Sequence, residues 1–382
     1  MIKQKKRFKF SFVITCLIFL VSLFLLLKAL FLGLYPDFSV YYYGSKYFIS
    51  GKNAYEMGKN LYSGYSYPPV VLLLFVPFTM LPFASAEFLW TLLNFVFLFV
   101  SLFMLAKIFS ISWHSKMSLL LMSLVFISFP TKFTFGMGQI NIFILLLMVL
   151  SLWFLKQKKE MLSGVFLGVS LMIKFFPILL PFYFLVKKQT TIIVGLIFSI
   201  IAAVLFMLVF VPLRTNIYFI NKVVPGFFSE SWKLDYYSQS LSAFVGRTFG
   251  IGEVGSMLKI LLTIVVITII FIAVIKNRKK NFESFSLQFG AIITATILTN
   301  TFSWQHHFVW LVIPFYATLF YLKKQKFSKK YFILLIASYI LVSTNLKNPE
   351  IVPVLFRSHV FYGSVILLGM QTKLLLDKKS ES

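Results

Sequence analysis

Acidic residues are scarce in this chain: 11 Asp and Glu stand against 37 Lys and Arg over 382 residues. Charged residues of both signs make up only 13%, about half of what a soluble globular domain carries. There is one cysteine, Cys16, inside the first apolar run. A lone cysteine forms no intrachain disulfide and supplies neither a zinc cluster nor a dithiol pair. Histidines number four, and no second carboxylate accompanies Asp37 to complete a set of hard-metal ligands. No metal and no cofactor is therefore expected. The phosphate-binding P-loop, the dinucleotide glycine fingerprint, His-Glu-x-x-His and Gly-x-Ser-x-Gly are also missing, so the enzyme classes that depend on them have no support. No repeat, low-complexity linker or soluble-domain boundary interrupts the chain, and residues 1–382 read as a single transmembrane domain.

Long apolar runs are what the chain does have. Hydrophobic residues make up 59% and aromatics 19%. Many runs approach the roughly 20 residues that a helix needs to cross a bilayer. In lipid the backbone must bond internally, so this reads as an all-α polytopic membrane protein. The net charge of +26 invites a nucleic-acid partner. The basic residues instead cluster in short loops between apolar runs, as the positive-inside rule describes, so no nucleic acid is expected. The basic segment Lys3–Lys9 leads into a run too long for a signal-peptide core, which predicts a retained first helix.

The basic clusters set a topology. With Lys3–Lys9 inside, helix 1 (Ser11–Gly33) runs outward and Leu34–Pro82 forms an external loop. Within it, the apolar part of Pro68–Pro82 is short for a span and bracketed by prolines, which leaves either a crossing helix or a half-buried helix of the loop. A crossing would put Lys107–Lys116 outside, so it reads as an interfacial helix. Helix 2 (Ala86–Ala106) then returns to a cytoplasmic Lys107–Lys116. Helix 3 (Met117–Pro130) leads out to an external Thr131–Asn141, and helix 4 (Ile142–Leu155) leads back to Lys156–Lys159. Met161–Val186 is a hairpin bent near Lys174-Phe-Phe-Pro177. Residues 212–255 form a second external loop. Lys276–Lys280, Lys323–Lys326 and Lys373–Lys379 mark later cytoplasmic segments. The count is about twelve transmembrane helices, with both termini cytoplasmic in a cell membrane.

This topology, drawn from basic loops alone, gathers the unusual polar residues on the external side: Asp37, Tyr41–Tyr43, Gln139, Asn141, Lys174, Gln239, Arg247, Trp304, His306 and His307. Ionisable groups at membrane depth are costly and usually line a cavity. Asp37 has a plain reading as a helix cap and a chemical one as a general base. His306 and His307 point about 100° apart on a helix; they are either aromatic-belt polar residues beside Trp304 and Trp310 or an acid–base partner. Lys174 and Arg247 suit an anionic head group. Gly136-Met-Gly-Gln-Ile-Asn141 offers a turn with two amides, or a simple external loop.

These residues carry a resemblance. Asp37-x-x-x-Tyr41-Tyr42, Gly51-x-x-x-Tyr55, Tyr67-Pro-Pro with Pro77 and Leu81-Pro82, and Gly138-Gln-Ile-Asn141 occur in order. Gly164-x-x-x-Gly168 with Lys174-x-x-Pro177, Gln239-Ser-Leu with Arg247, and Ser303-Trp-Gln-His-His-x-Val-Trp310 follow. Together they resemble bacterial glycosyltransferase family 87, the polyprenyl-phosphate-mannose-dependent mannosyltransferase type of the GT-C class. The resemblance implies a GT-C-type bundle whose external first loop carries the catalytic carboxylate, matching Asp37. It also implies a polyprenyl-phosphate sugar donor, and makes a catalytic histidine plausible at His306 or His307. Tyr41, Tyr67, Gln139, Asn141, Lys174, Gln239, Arg247 and Trp304 become candidates for binding donor or acceptor. Ser238 departs from the family pattern, where Asn is expected. The expected reaction is hexosyl transfer by inverting displacement, to a hydroxyl of a glycolipid or glycan. The alternative is a transporter or flippase of a lipid-linked or small solute, although no matching halves are visible.

Overall fold

A computed structural model describes residues 2–31, 33–62, 64–228, 234–279, 281–325 and 328–377. Of the basic clusters, the side chains at 3–9 and the residues at 280, 326 and 378–379 lie outside the described residues. Helices dominate the fold. Among the described residues there is no strand, only one isolated antiparallel bridge between Ser238 and Trp304.

The first helix, α1 (Ile2–Phe31), is followed by four short pieces: α2 (Pro36–Ile49), α3 (Ala54–Met57), α4 (Pro69–Phe75) and a 3-10 turn at Val76–Met80. Prolines place them. Pro36 and Pro69 open their helices, where a missing N–H is harmless, and Pro82 immediately precedes α5 (Phe83–Ile108). The Pro69–Met80 segment lies against α2. Ser45 donates to the Leu72 carbonyl at 2.9 Å, and Tyr42 to the Leu81 carbonyl at 2.8 Å. Phe38 of α2 sits among Phe75, Phe78, Phe83 and Trp90. This segment is thus folded onto α2.

Among the described residues six helices are long and apolar enough to cross a membrane, or seven if a bent pair counts as one span. That pair is α6 (Lys116–Ile127) and α7 (Phe129–Met137), at 55° to one another. The expected external loop Thr131–Asn141 is mostly helix instead. Ser128 leaves the helical conformation, and Pro130 in the first turn of α7 lets a new helix start at once in another direction. Helices α8 (Asn141–Lys156) and α9 (Glu160–Ile173) are apolar but short, at 16 and 14 residues. The predicted break at Lys174 is present: α9 stops at Ile173, Lys174 is extended, and α10 (Leu179–Val186) follows. Twelve spans remains an expectation of the charge pattern, since several helices here are too short to be counted by length.

The rest is α11 (Thr190–Phe210), α12 (Leu213–Tyr218), α13 (Val224–Phe228), α14 (Leu241–Phe249), α15 (Glu253–Lys276) and α16 (Phe282–Thr299). Then come a 3-10 segment at Gln305–Leu311, α17 (Val312–Lys324), α18 (Lys329–Ser343) and α19 (His359–Leu376). Burial separates inner from outer helices. The α16 window is 78% buried, against 17% for α15 and 28% for α11. The outer helices present bare apolar side chains such as Val209, 74% exposed, and Met257, 71% exposed. Apolar surface on that scale is costly in water and suited to lipid. The protein is a multi-pass membrane protein with α16 at its centre.

Close packing of α9 on α11 rests on glycine. A Cβ on Gly164 would stand 1.9 Å from the Ile192 carbonyl oxygen, and one on Gly195 would stand 2.1 Å from that of Met161. The Gly164-x-x-x-Gly168 landmark is therefore a helix-packing face, the use small residues commonly have between membrane helices.

Candidate active site

The segment that follows α1 brings Asp37 to the interior. Tyr35 holds the left-handed backbone conformation, φ 47°, just before Pro36, and its N–H donates to the Gly136 carbonyl at 3.0 Å. A non-glycine residue there is strained and persists only when its surroundings hold it. Pro36 then starts α2, and Asp37, the next residue, is 4% exposed, with no hydrogen-bond partner for Oδ2 among the described residues.

The end of α7 faces it. Gly138, φ 68°, terminates that helix in the left-handed conformation that glycine adopts freely. A Cβ at Gly138 would come within 2.6 Å of the Phe38 Cβ, so glycine allows α7 to close on α2. The Gly138 carbonyl accepts from the Trp90 indole at 2.8 Å. Gln139 follows, buried beside Asp37, and its amide engages two tyrosines. The Tyr41 hydroxyl donates to Gln139 Oε1 at 3.0 Å; Gln139 Nε2 donates to the Tyr67 hydroxyl at 3.4 Å; and the two hydroxyls are 3.0 Å apart.

Lys174 enters from the break between α9 and α10. Its Nζ donates to Asn141 Oδ1 at 3.1 Å and lies over the rings of Tyr67 and Phe176, at 5.7 and 5.5 Å from their centroids. It makes no direct ion pair with Asp37, yet its charge acts on Asp37, His306 and His307 alike. Burial lifts the Asp37 carboxyl from the ordinary carboxylate range to about 6, against the pull of Gln139 and the Lys174 charge.

The histidines lie on the other side of Lys174. Phe176 stacks on His307 with centroids 4.2 Å apart, and His306 and His307 are themselves 4.2 Å apart. His307 Nδ1 accepts from the Trp304 N–H at 3.1 Å, which leaves the proton of the neutral ring on Nε2. That Nε2 and His306 Nδ1 are buried without partners among the described residues, as is Asn141 Nδ2. Native interiors seldom leave such groups unsatisfied, so this cluster is a candidate polar site. Thr134 fixes the turn by donating to the His306 carbonyl at 2.9 Å, and the Trp310 indole donates to the Asn141 carbonyl at 2.8 Å.

Two expected site residues stand in a separate cluster. Gln239 donates to the carbonyls of Tyr236 and Arg357, at 2.6 and 2.8 Å. Arg247 donates to the carbonyls of Ser238 and Asp235, at 2.8 and 3.0 Å, and to Ser358 Oγ at 2.9 Å. Neither is hydrogen-bonded or ion-paired to Asp37 or Lys174. Their segment braces the histidines from behind: the Gln239 N–H bonds the Ser303 carbonyl, and the Gln305 N–H bonds that of Tyr237, each at 2.8 Å. Trp304 is half-buried, with Tyr237 stacked 6.5 Å away. Ser238 is fully buried in this bridge, so a small residue fits the position. The reading of single residues missed Phe176 and Trp90. Phe176 sits inside the Lys174-x-x-Pro177 landmark, whereas nothing in the sequence distinguishes Trp90 from other aromatic helix residues.

A family model described as glycosyltransferase family 87 matches residues 65–302. The match takes in Tyr67, Gln139, Asn141, Lys174, Gln239 and Arg247, and stops short of Asp37, Tyr41, Trp304 and the two histidines. Among curated proteins, the chain is similar to the polyprenol-phosphate-mannose-dependent alpha-(1-2)-phosphatidylinositol pentamannoside mannosyltransferase of Mycobacterium tuberculosis (strain CDC 1551 / Oshkosh). The two are 23% identical over 262 residues, 65% of this chain and 56% of that protein. The protein of the same description from Mycolicibacterium smegmatis is 22% identical over 258 residues, 65% of this chain and 59% of its own length. The chain thus spans less than two thirds of either relative. Among solved structures, ArnT from Cupriavidus metallidurans in the apo state aligns with 97% of this chain and 77% of its own. Its TM-score is 0.41 and its identity 16%.

Proposed function

The chain belongs to glycosyltransferase family 87, and on that premise we propose that it moves a sugar from a polyprenyl-phosphate donor to a hydroxyl of a glycolipid or glycan at the external face of the membrane. Mannose is the sugar proposed, since both curated relatives are described as polyprenol-phosphate-mannose-dependent. The fold proposed is of the GT-C type. The observation that carries the reading is the buried, half-unpartnered carboxylate of Asp37, set across a polar cluster from Lys174 and the His306–His307 pair.

The chemistry is a single displacement. Asp37 accepts the proton of the acceptor hydroxyl as the oxygen bonds to the anomeric carbon. The bond from that carbon to the phosphate oxygen breaks, and the anomeric centre inverts. The electron pair leaves on the polyprenyl phosphate, whose added charge Lys174 stabilises. One general base suffices here, whereas glycoside hydrolysis typically uses two flanking carboxyls. Asn141 and Phe176 hold Lys174 in place. His307 Nε2–H and the His306 ring are available to donate to the phosphate or to the sugar. Tyr41, Tyr67 and Gln139 orient the carboxylate and the incoming hydroxyl. Gln239, Arg247 and Trp304 act through the segment that carries the histidines.

Purified protein in lipid nanodiscs, given radiolabelled polyprenyl-phosphate mannose and a phosphoglycolipid acceptor, is expected to form labelled product. Asp37→Asn, with an unchanged melting temperature, is expected to lower the rate by roughly 100- to 10,000-fold. Full transfer by Asp37→Asn refutes the assignment of the base. Movement of the intact donor across the bilayer without turnover would make the protein a transporter.

A further inference from the structure

A second site lies at the other end of α5. Near its start, Trp90 of this helix supports the Asp37 cluster through Gly138. Its 26 residues span about 39 Å at ~1.5 Å per residue. At the far end its last turn and the following loop face the end of α17 across a cavity of about 400 Å³. In the topology drawn from charge this is the cytoplasmic end of the bundle.

One wall is aromatic: Phe109 packs on Phe320 and Tyr316 with centroids 5.1 and 6.2 Å away. The rim is basic, with Lys323 and Lys324. Lys324 is ion-paired with Glu283 at 3.6 Å, and Lys323 has no hydrogen bond or ion pair among the described residues. The opposite lip, which includes Ser112, is held rigid. Ser110 occupies the left-handed conformation, φ 53°, and the Ile111 and Ser110 N–H groups cap the Ala106 and Lys107 carbonyls at 2.8 and 3.3 Å. That is the helix-ending geometry in which glycine is usual, here imposed on a serine, so the lip is fixed and the cavity preformed.

We propose that this cavity binds the phosphate head group of an anionic glycerophospholipid. The phosphodiester would sit between Lys323 and Ser112, and the glycerol and upper chain against Phe109 and Phe320. A basic pocket between membrane helices at a cytoplasmic surface has this chemistry. The volume suits a head group with its glycerol rather than a sugar polymer. The site lies a helix length away from the proposed catalytic cluster and makes no use of Asp37.

The full chain in phosphatidylcholine nanodiscs, with and without a photoreactive phosphatidylglycerol, tests this. Labelling is expected in peptides covering residues 109–117 and 316–324, and is expected to fall about fivefold or more in Lys323→Glu. Ser112→Trp, which fills the cavity and keeps both lysines, should do the same. Melting temperature in phosphatidylcholine alone shows that both variants are folded. Equal labelling by a photoreactive phosphatidylcholine, or labelling that survives Lys323→Glu, overturns the proposal. Competition by glycerol phosphate as effective as that by phosphatidylglycerol also overturns it, by making the ligand a free phosphate.

Discussion

Asp37 and Lys174 owe their chemistry to what surrounds them. Burial holds the Asp37 carboxyl protonated to about pH 6, and a general base works only when deprotonated. Transfer is therefore expected to rise with pH below about 6, roughly tenfold per unit, and to level off above it. A rate that is flat from pH 4.5 to 7 under saturating substrate would count against Asp37 as the base. Lys174 is held by Asn141 and two rings, so Lys174→Gln keeps a polar side chain and loses the charge. We expect kcat to drop by roughly 100-fold or more, the usual scale for removing one stabiliser of a developing anion, with little change in melting temperature. A loss seen only as a higher KM for donor would assign Lys174 to binding alone. These two residues stood out in the sequence because ionisable groups are so few and so seldom placed among apolar runs. Phe176 and Trp90 did not stand out, because aromatics are common everywhere in this chain and only packing separates one from another.

At the scale of elements, the decisive packing is backbone on backbone. Gly164 meets the Ile192 carbonyl and Gly195 meets that of Met161, where no side chain can swing aside. Gly164→Leu is expected to destabilise by about 1–3 kcal/mol or more, read as a lower melting temperature in detergent. Gly369→Ala in α19, where nothing stands within 4 Å, should gain about 0.5–1 kcal/mol from helix propensity. If the two shifts are equal, the close approach of α9 and α11 is not what holds that region. The break at Lys174 and the folded Pro69–Met80 segment were legible because proline leaves an unmistakable mark. The continuation of α7 to Met137 was not. Pro130 looked like an end, and sequence alone does not tell a bend from a stop.

For the whole molecule, composition and apolar runs announced a helical membrane protein, and the bare faces of α11 and α15 agree. Which helices lie inside leaves a trace in composition: α16, with mean hydropathy 1.2, is 78% buried, whereas α15, at 3.0, is 17% buried. The polar cluster assembles residues 37 to 307 through chain reversals that no local pattern encodes. The sidedness of the topology has a direct measurement. With Cys16 replaced by serine, the exposed positions in Tyr62→Cys and Ser112→Cys can be labelled one at a time in intact cells. A membrane-impermeant thiol reagent is expected to reach the first and to reach the second only after permeabilisation. The reverse pattern would put the proposed catalytic face in the cytoplasm.

The glycine contact between α9 and α11 also sets an order of events during synthesis. These helices are close in sequence, joined only by Lys174–Val186 and a short turn, so they can dock soon after both leave the ribosome. Lys174, at the fold between them, would then be seated while His306 and His307 are still unmade. The cluster is completed from its cationic side, and the histidine turn closes on a surface already waiting for it. A nascent chain stalled with Phe210 just inserted is expected to protect α9 through α11 from protease, and Gly164→Leu to abolish that protection.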